Sequence, residues 1–217
     1  MHLKYKSKQF TVQTQKRLLH FFQPENLYQL IDDLTNEQAA KDKYQPYWVE
    51  NWPSADTFLS FISSHSFTKQ YRVIELGSGL GVLSAALLAR GHSVITTDIA
   101  PDACLYSHAN LILNNLPPQV VCCDMQSLPF KNSTFDLIIA SDILYEEAMY
   151  NKLFASLSKL LTRTNRAWIA DPCRRGWDSF KRAAAGKGYT LKLLHSDTRS
   201  TGLKIEIIEL TLKKSAY

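Results

Sequence analysis

The sequence has no apolar run near the roughly 18 residues that cross a bilayer, so no membrane span is expected. Its opening, Met1-His2-Leu3-Lys4-Tyr5-Lys6, shows neither the apolar centre nor the cleavage pattern of a secretory leader, and export is not expected either. Cysteine is scarce: Cys104, Cys122, Cys123 and Cys173 are the whole set. Two of them adjoin in a strand-like run and none forms C-x-x-C. That spacing argues against a disulfide framework and a zinc site, and it fits a reducing cytoplasm with no bound metal. Internal repeats and low-complexity segments are missing. Acid is absent from residues 1–20, where Lys4, Lys6, Lys8, Lys16 and Arg17 supply the whole of the net charge of +5. That stretch reads as a solvated N-terminus, or as a basic arm for an acidic protein or nucleic acid. An RNA groove would interleave basic residues with stacking aromatics. Only a weaker cluster, Arg174, Arg175, Lys181 and Arg182, comes near that pattern, so nucleic acid is not the expected partner.

What the chain does have is an alternation of strand and helix signals from about residue 71 onward, within a length of 217 that suits one domain. Strands are expected at Tyr71 to Leu76, His92 to Asp98, Gln119 to Cys123, Phe135 to Ser141, Ala167 to Ala170, Tyr189 to Leu194 and Leu203 to Leu212. The fourth is almost wholly apolar, as a central parallel strand buried on both faces should be. The last two are separated by too few residues for a helical crossover, so they must be antiparallel. The fold class is therefore α/β: a doubly wound, Rossmann-like, seven-stranded sheet with an antiparallel last strand and helices on both faces. Helices are expected from Pro101, over Glu147 to Leu161, and upstream at residues 24–34 and 54–64, the last capped by Ser54 or Asp56. Residues 1–70 then form an N-terminal helical extension packed on a core of residues 71–217, in a protein expected to be a monomer.

The stretch Val73-Ile74-Glu75-Leu76-Gly77-Ser78-Gly79-Leu80-Gly81 ends a strand in an acid and opens a helix through alternating glycines. Such a turn lets a ligand lie against bare amides at a helix N-terminus. The dinucleotide fingerprint G-x-G-x-x-G is not met, because Val82 stands where its third glycine belongs. Asp98, followed by Ile99, ends the second strand about twenty residues past the glycine turn, the spacing at which a carboxylate accepts ribose hydroxyls. Asp124 and Met125 follow the third strand. The fourth delivers Ser141-Asp142-Ile143-Leu144-Tyr145 past its carboxyl end, where an open α/β sheet binds its ligand.

Glu75-x-Gly77-x-Gly79-x-Gly81 resembles the first motif of the class I S-adenosylmethionine-dependent methyltransferases. The resemblance implies that Glu75, Gly77, Ser78, Gly79 and Gly81 serve the methionine end of S-adenosyl-L-methionine. It also implies that Asp98 and Ile99 serve its ribose, that Asp124 and Met125 serve the adenine, and that Ser141 is a further cofactor contact. Asp142-Ile143-Leu144-Tyr145 is similar to the D-x-x-Y motif of a protein-lysine methyltransferase family, and Trp52-Pro53-Ser54-Ala55 to its W-P-x-A segment, which makes Trp52 a cofactor contact. Asp171-Pro172-Cys173-Arg174 resembles the Asp-Pro-Gly-Arg of the branch acting on the electron transfer flavoprotein β subunit, with cysteine in place of glycine. The implied activity is N-methylation of a lysine in a protein substrate. Asp142 and Tyr145 would be the catalytic pair, and Trp48, Asp142, Tyr145 and Arg174 would receive the acceptor. Arg174 would pair with an acid beside the target. A small-molecule N-methyltransferase acting on an amine or pyridine ring, a non-catalytic cofactor-binding module and a nicotinamide dehydrogenase remain as alternatives.

Overall fold

The structure, a computed structural model, describes residues 3–15, 17–32, 45–132, 134–162 and 165–213. Among these the main sheet has seven strands: β3 (Arg72–Leu76), β4 (Ser93–Asp98), β5 (Val120–Cys122), β6 (Leu137–Ser141), β7 (Arg166–Asp171), β8 (Tyr189–Thr198) and β9 (Lys204–Leu212). Their order is β5-β4-β3-β6-β7-β9-β8. The first five run parallel, and β9 lies antiparallel to both β7 and β8. The expected antiparallel end of the sheet is thus present. Its strand order reverses between β3 and β4 on one side and β6 on the other, which opens a crevice at the carboxyl ends of β3 and β6.

Burial on both faces follows from the alternation of side chains along each central strand. Val73 of β3 and Ile139 of β6 enter one core, with α2 (Pro53–Ser64), α3 (Val82–Ala89) and α4 (Pro101–Leu113). Ile74 and Leu76 of β3, with Ile138 and Ala140 of β6, enter the other, with α5 (Glu147–Leu160) and α6 (Trp177–Gly186).

The N-terminal part departs from the helical extension expected of it. Residues Ser7–Gln13 (β1) and Leu18–Pro24 (β2) form an antiparallel hairpin, and only a short helix, α1 (Leu27–Asp32), follows. Pro24 ends a strand and does not begin a helix; residues 33 and 34 of the expected helix lie outside the described residues. The reason is a period-two pattern. Val12, Leu19 and Phe21 point inward and are buried while Thr11, Gln13, Leu18 and His20 are exposed. Nor is this stretch a solvated terminus. Asn110 and Asn114 of α4 are buried, and each exchanges hydrogen bonds with the main chain of β2. Lys4 and Lys6 stay on the rim, where Lys6 pairs with Glu25 at 2.9 Å and Lys4 with Asp102 at 3.8 Å, whereas Arg17 has guanidinium nitrogens that are buried. Lys16 lies outside the described residues.

Helix α2 begins one residue earlier than expected, with Pro53 at its first position, and neither Ser54 nor Asp56 caps it. Both side chains bond elsewhere: Ser54 to Asp142, and Asp56 to Asn51 and Arg199.

Candidate active site

The crevice holds a cavity of about 420 Å³, within the size range of small-ligand sites. Its floor is the turn after β3. Gly77 has φ +68°, and a Cβ there would lie 2.7 Å from Ile143 Cγ2, so only glycine fits. Gly81, at φ +78°, sits directly before α3, where a Cβ would press on Ser107. The amide of Gly79 donates to Asp98 Oδ2 at 2.9 Å, and Ser107 Oγ donates to the Gly79 carbonyl at 2.7 Å. The turn is therefore held rigid from two sides.

Two buried carboxylates face this floor. Glu75 accepts from the Ser84 amide at 2.9 Å and from the Ser84 hydroxyl, which in turn accepts from Thr96 Oγ1 at 2.8 Å. Burial outweighs these bonds and pushes the Glu75 carboxyl up to about 7. Asp98 accepts from Gly79 and, through Oδ1, from the Ala100 amide at 2.9 Å; burial raises its pKa too. A carboxylate has about four acceptor positions, so both acids keep acceptor capacity toward the cavity. On the β5 side Asp124 accepts from the Gln126 amide at 2.9 Å and starts a tight turn, with Met125 half-buried against the second core.

The other end of the cavity is built around Asp142. Its Oδ1 accepts from Ser54 Oγ and from Arg174 Nη2, each at 3.0 Å, and its Oδ2 accepts from Ser141 Oγ at 3.0 Å. Arg174 also donates through Nη1 to Asp171 Oδ2 at 2.8 Å. Its guanidinium is thus engaged inside the chain, between two acids. Burial raises the Asp142 carboxyl, and Arg174 opposes that shift. Asp142 takes φ +59° and Cys173 φ +52°, both left-handed. The second value explains the glycine expected at position 173 by resemblance: the turn itself asks for that conformation.

Tyr145 and Tyr47 stand at the mouth with ring centroids 5.1 Å apart, and the Trp52 indole donates to the Tyr47 carbonyl at 2.6 Å. All three are exposed. Trp48 lies deeper, its ring 5.3 Å from that of Tyr106.

The structure brings Trp48, Trp52, Glu75, Gly77, Ser78, Gly79, Asp98, Ile99, Asp124, Met125, Ser141, Asp142, Tyr145 and Arg174 to this one cavity. Of the residues expected there, Gly81 alone does not line it and instead begins the helix behind it. Sequence reasoning did not assign Tyr47, Ser54 or Asp171. Ser54 was legible only as a helix cap, and nothing in its neighbours points to Asp142.

The residues present fit S-adenosyl-L-methionine. Among the described residues Glu75 is a buried acid without a cationic partner, suited to an ammonium; Asp98 is a second acid at ribose spacing; Met125 and Ile99 are apolar walls. The sheet order, the glycine turn and these acids define the class: a seven-stranded, S-adenosylmethionine-dependent methyltransferase. Solved structures agree on the fold. The ribosomal protein L11 methylase of Lactobacillus delbrueckii subsp. bulgaricus superposes with a TM-score of 0.60 at 18% identity, over 76% of this chain and 81% of that one.

The family model described as lysine methyltransferase matches residues 38–180, well over half the chain, and the protein belongs to that family. It is similar to the electron transfer flavoprotein beta subunit lysine methyltransferase of Danio rerio, 30% identical over 132 residues, 59% of this chain and 51% of that protein. It is also similar to protein-lysine methyltransferase METTL21E of Mus musculus, 30% identical over 129 residues, 52% of this chain and 51% of that protein. The chain spans about half the length of these curated relatives. Among the described residues no helix is long and apolar enough to cross a membrane.

Proposed function

We propose that the protein methylates the side-chain nitrogen of a lysine in another protein. Residues 71–217 would act as the methyltransferase core, and residues 1–70 as an extension that completes the mouth of the site. The observation that carries this reading is the D-x-x-Y element: Asp142 and Tyr145 follow the switch-point strand β6 and face an open aromatic rim. Family membership and the relatives' own names support it.

When bound, S-adenosyl-L-methionine supplies a methyl carbon whose bond to sulfur breaks, with its electron pair, as the amine lone pair attacks. The chain's work is therefore positioning. Glu75, Gly77, Ser78 and Gly79 would hold the methionine end, Asp98 and Ile99 the ribose, and Asp124, Met125, Ser141 and Trp52 the remainder, with Gly81 shaping the turn. A lysine amine of pKa about 10.4 is protonated in water and cannot attack. A dry aromatic channel disfavours that charged form. Asp142, through its carboxylate or its main-chain carbonyl, would orient the neutral amine. Tyr145 and Trp48 would wall the channel and tolerate the growing positive charge through their ring faces. The exposed rim of Tyr47 and Tyr145 suits a long side chain presented by a protein surface.

The experiment is incubation of the purified protein with labelled S-adenosyl-L-methionine and protein extract, followed by mass spectrometry. An electron transfer flavoprotein β subunit is the first purified acceptor to try, because Asp171-Pro172-Cys173-Arg174 resembles that branch. Label on a lysine is the expected result. Label confined to small molecules would replace this reading with small-molecule N-methylation, and cofactor binding without any transfer would make the protein a binding module.

A further inference from the structure

Resting on the lysine-methylation reading, we infer that Asp142 presents its main-chain carbonyl, not its carboxylate, to the acceptor amine, and that Ser54 and Arg174 are positioning residues that hold the carboxylate aside. Three observations carry this. First, the carboxylate is occupied: Ser54 and Arg174 donate to Oδ1 and Ser141 to Oδ2, each at 3.0 Å. Second, the Asp142 side chain is only 5% exposed while the residue as a whole is half-buried, so the accessible part of this cavity-lining residue is mostly its main chain. Third, Asp142 leaves β6 in the left-handed conformation, φ +59°, which turns the peptide that follows out of the strand direction.

The chemistry favours the same division. An ionised carboxylate against the target would stabilise its ammonium form, the form that cannot attack. A carbonyl accepts a hydrogen bond from a neutral amine without adding a full charge. Arg174, itself anchored by Asp171 at 2.8 Å, holds the Asp142 carboxylate in an ion pair, and Ser54 ties it to α2.

The inference separates two substitutions that a carboxylate role would not. In Asp142→Asn, the amide oxygen still accepts from Ser54 and Arg174, the amide nitrogen donates to Ser141, and asparagine tolerates the left-handed backbone. In Asp142→Ala all three anchors are lost. The test measures kcat and KM for a lysine acceptor in wild type and both variants, with S-adenosylhomocysteine binding by calorimetry as the check of folding. Asp142→Asn is expected to keep kcat within about ten-fold of wild type and Asp142→Ala to lose about a hundred-fold or more, with KM moving less than kcat in both. An asparagine variant that binds S-adenosylhomocysteine and is as inactive as the alanine variant overturns the inference. Should Asp142→Asn not fold, Ser54→Ala decides: a fall in kcat of about ten-fold at nearly constant KM supports the anchoring role, and an unchanged kcat overturns it. Wild-type protein that labels no lysine defeats the lysine reading and this inference with it. That result differs from a loss seen only in the variants.

Discussion

Asn110 on α4 holds Phe22 on β2 by both of its main-chain polar groups: the Phe22 amide donates to Asn110 Oδ1 at 2.7 Å and Asn110 Nδ2 donates to the Phe22 carbonyl at 3.1 Å. The same amide nitrogen donates to the Leu80 carbonyl at 3.0 Å, beside the glycine turn. One buried side chain thus ties the N-terminal hairpin to the cofactor floor. Asn110→Leu leaves these main-chain groups without partners, and each buried orphan costs about 1–3 kcal/mol. The expected loss is about 3 kcal/mol or more, read as a lowered urea midpoint at constant slope. A shift below about 0.5 kcal/mol would show that the hairpin contributes little to the fold.

Glu75 gives a pH signature. Its folded pKa lies at about 7, above the ordinary carboxylate range. Between these values the folded chain binds a proton that the unfolded chain has released. This group's contribution to stability is therefore fully present at acid pH and is lost as pH rises through the window. Glu75→Gln should remove that loss. Relative to wild type, the variant should gain roughly 3 kcal/mol in stability between pH 4.5 and pH 7.5 in the absence of cofactor. Parallel urea titrations at the two pH values measure it, and a constant difference between the proteins would contradict the raised pKa.

Cys173 sits at φ +52°, a conformation costing a non-glycine residue about 1–2 kcal/mol. Cys173→Gly should be at least as stable as wild type despite glycine's greater freedom when unfolded. Cys173→Val, with its branched Cβ, should lose more than about 1 kcal/mol. Thermal unfolding of the pair gives the comparison; equal melting temperatures would argue against strain at this turn.

Tyr145 tests the channel. The ring is exposed at the mouth and lies 5.1 Å from Tyr47. Tyr145→Ala should lower kcat/KM for a protein acceptor by about ten-fold or more, with Tyr145→Phe much nearer wild type because the ring face does the work. S-adenosylhomocysteine affinity should stay within about three-fold in both. Equal loss in the phenylalanine variant would shift the role from the ring to the hydroxyl.

Much of the architecture was legible because it is written in local patterns. The apolar run of β6, the glycine turn after Glu75 and the short link between β8 and β9 report burial, turn conformation and chain reach. Each depends on neighbours in sequence. They were enough for the doubly wound sheet and for the glycine turn and acids that line one side of the cavity. The hairpin is written in the alternation of Phe10 and Val12 with Leu19 and Phe21, a weak signal because each strand carries only two or three inward apolar residues among exposed polar ones.

What only the tertiary structure decided are the partners of polar side chains. Ser54 and Asp142 are 88 positions apart, as are Phe22 and Asn110. Ser54 looked like a cap and Arg174 like a cation for a substrate acid, and no local pattern singled out Asn110. A hydrogen bond or ion pair is selected by which groups the packed elements bring within about 3 Å, and periodicity carries no information about that distance. The sequence by itself determined where the strands of the main sheet and the glycine turn with its neighbouring acids fall. Packing determined that Arg174 turns inward to Asp142 and Asp171, and that α2 supplies Ser54 to the same carboxylate, because those contacts exist only once β6, β7 and α2 meet at one edge of the sheet.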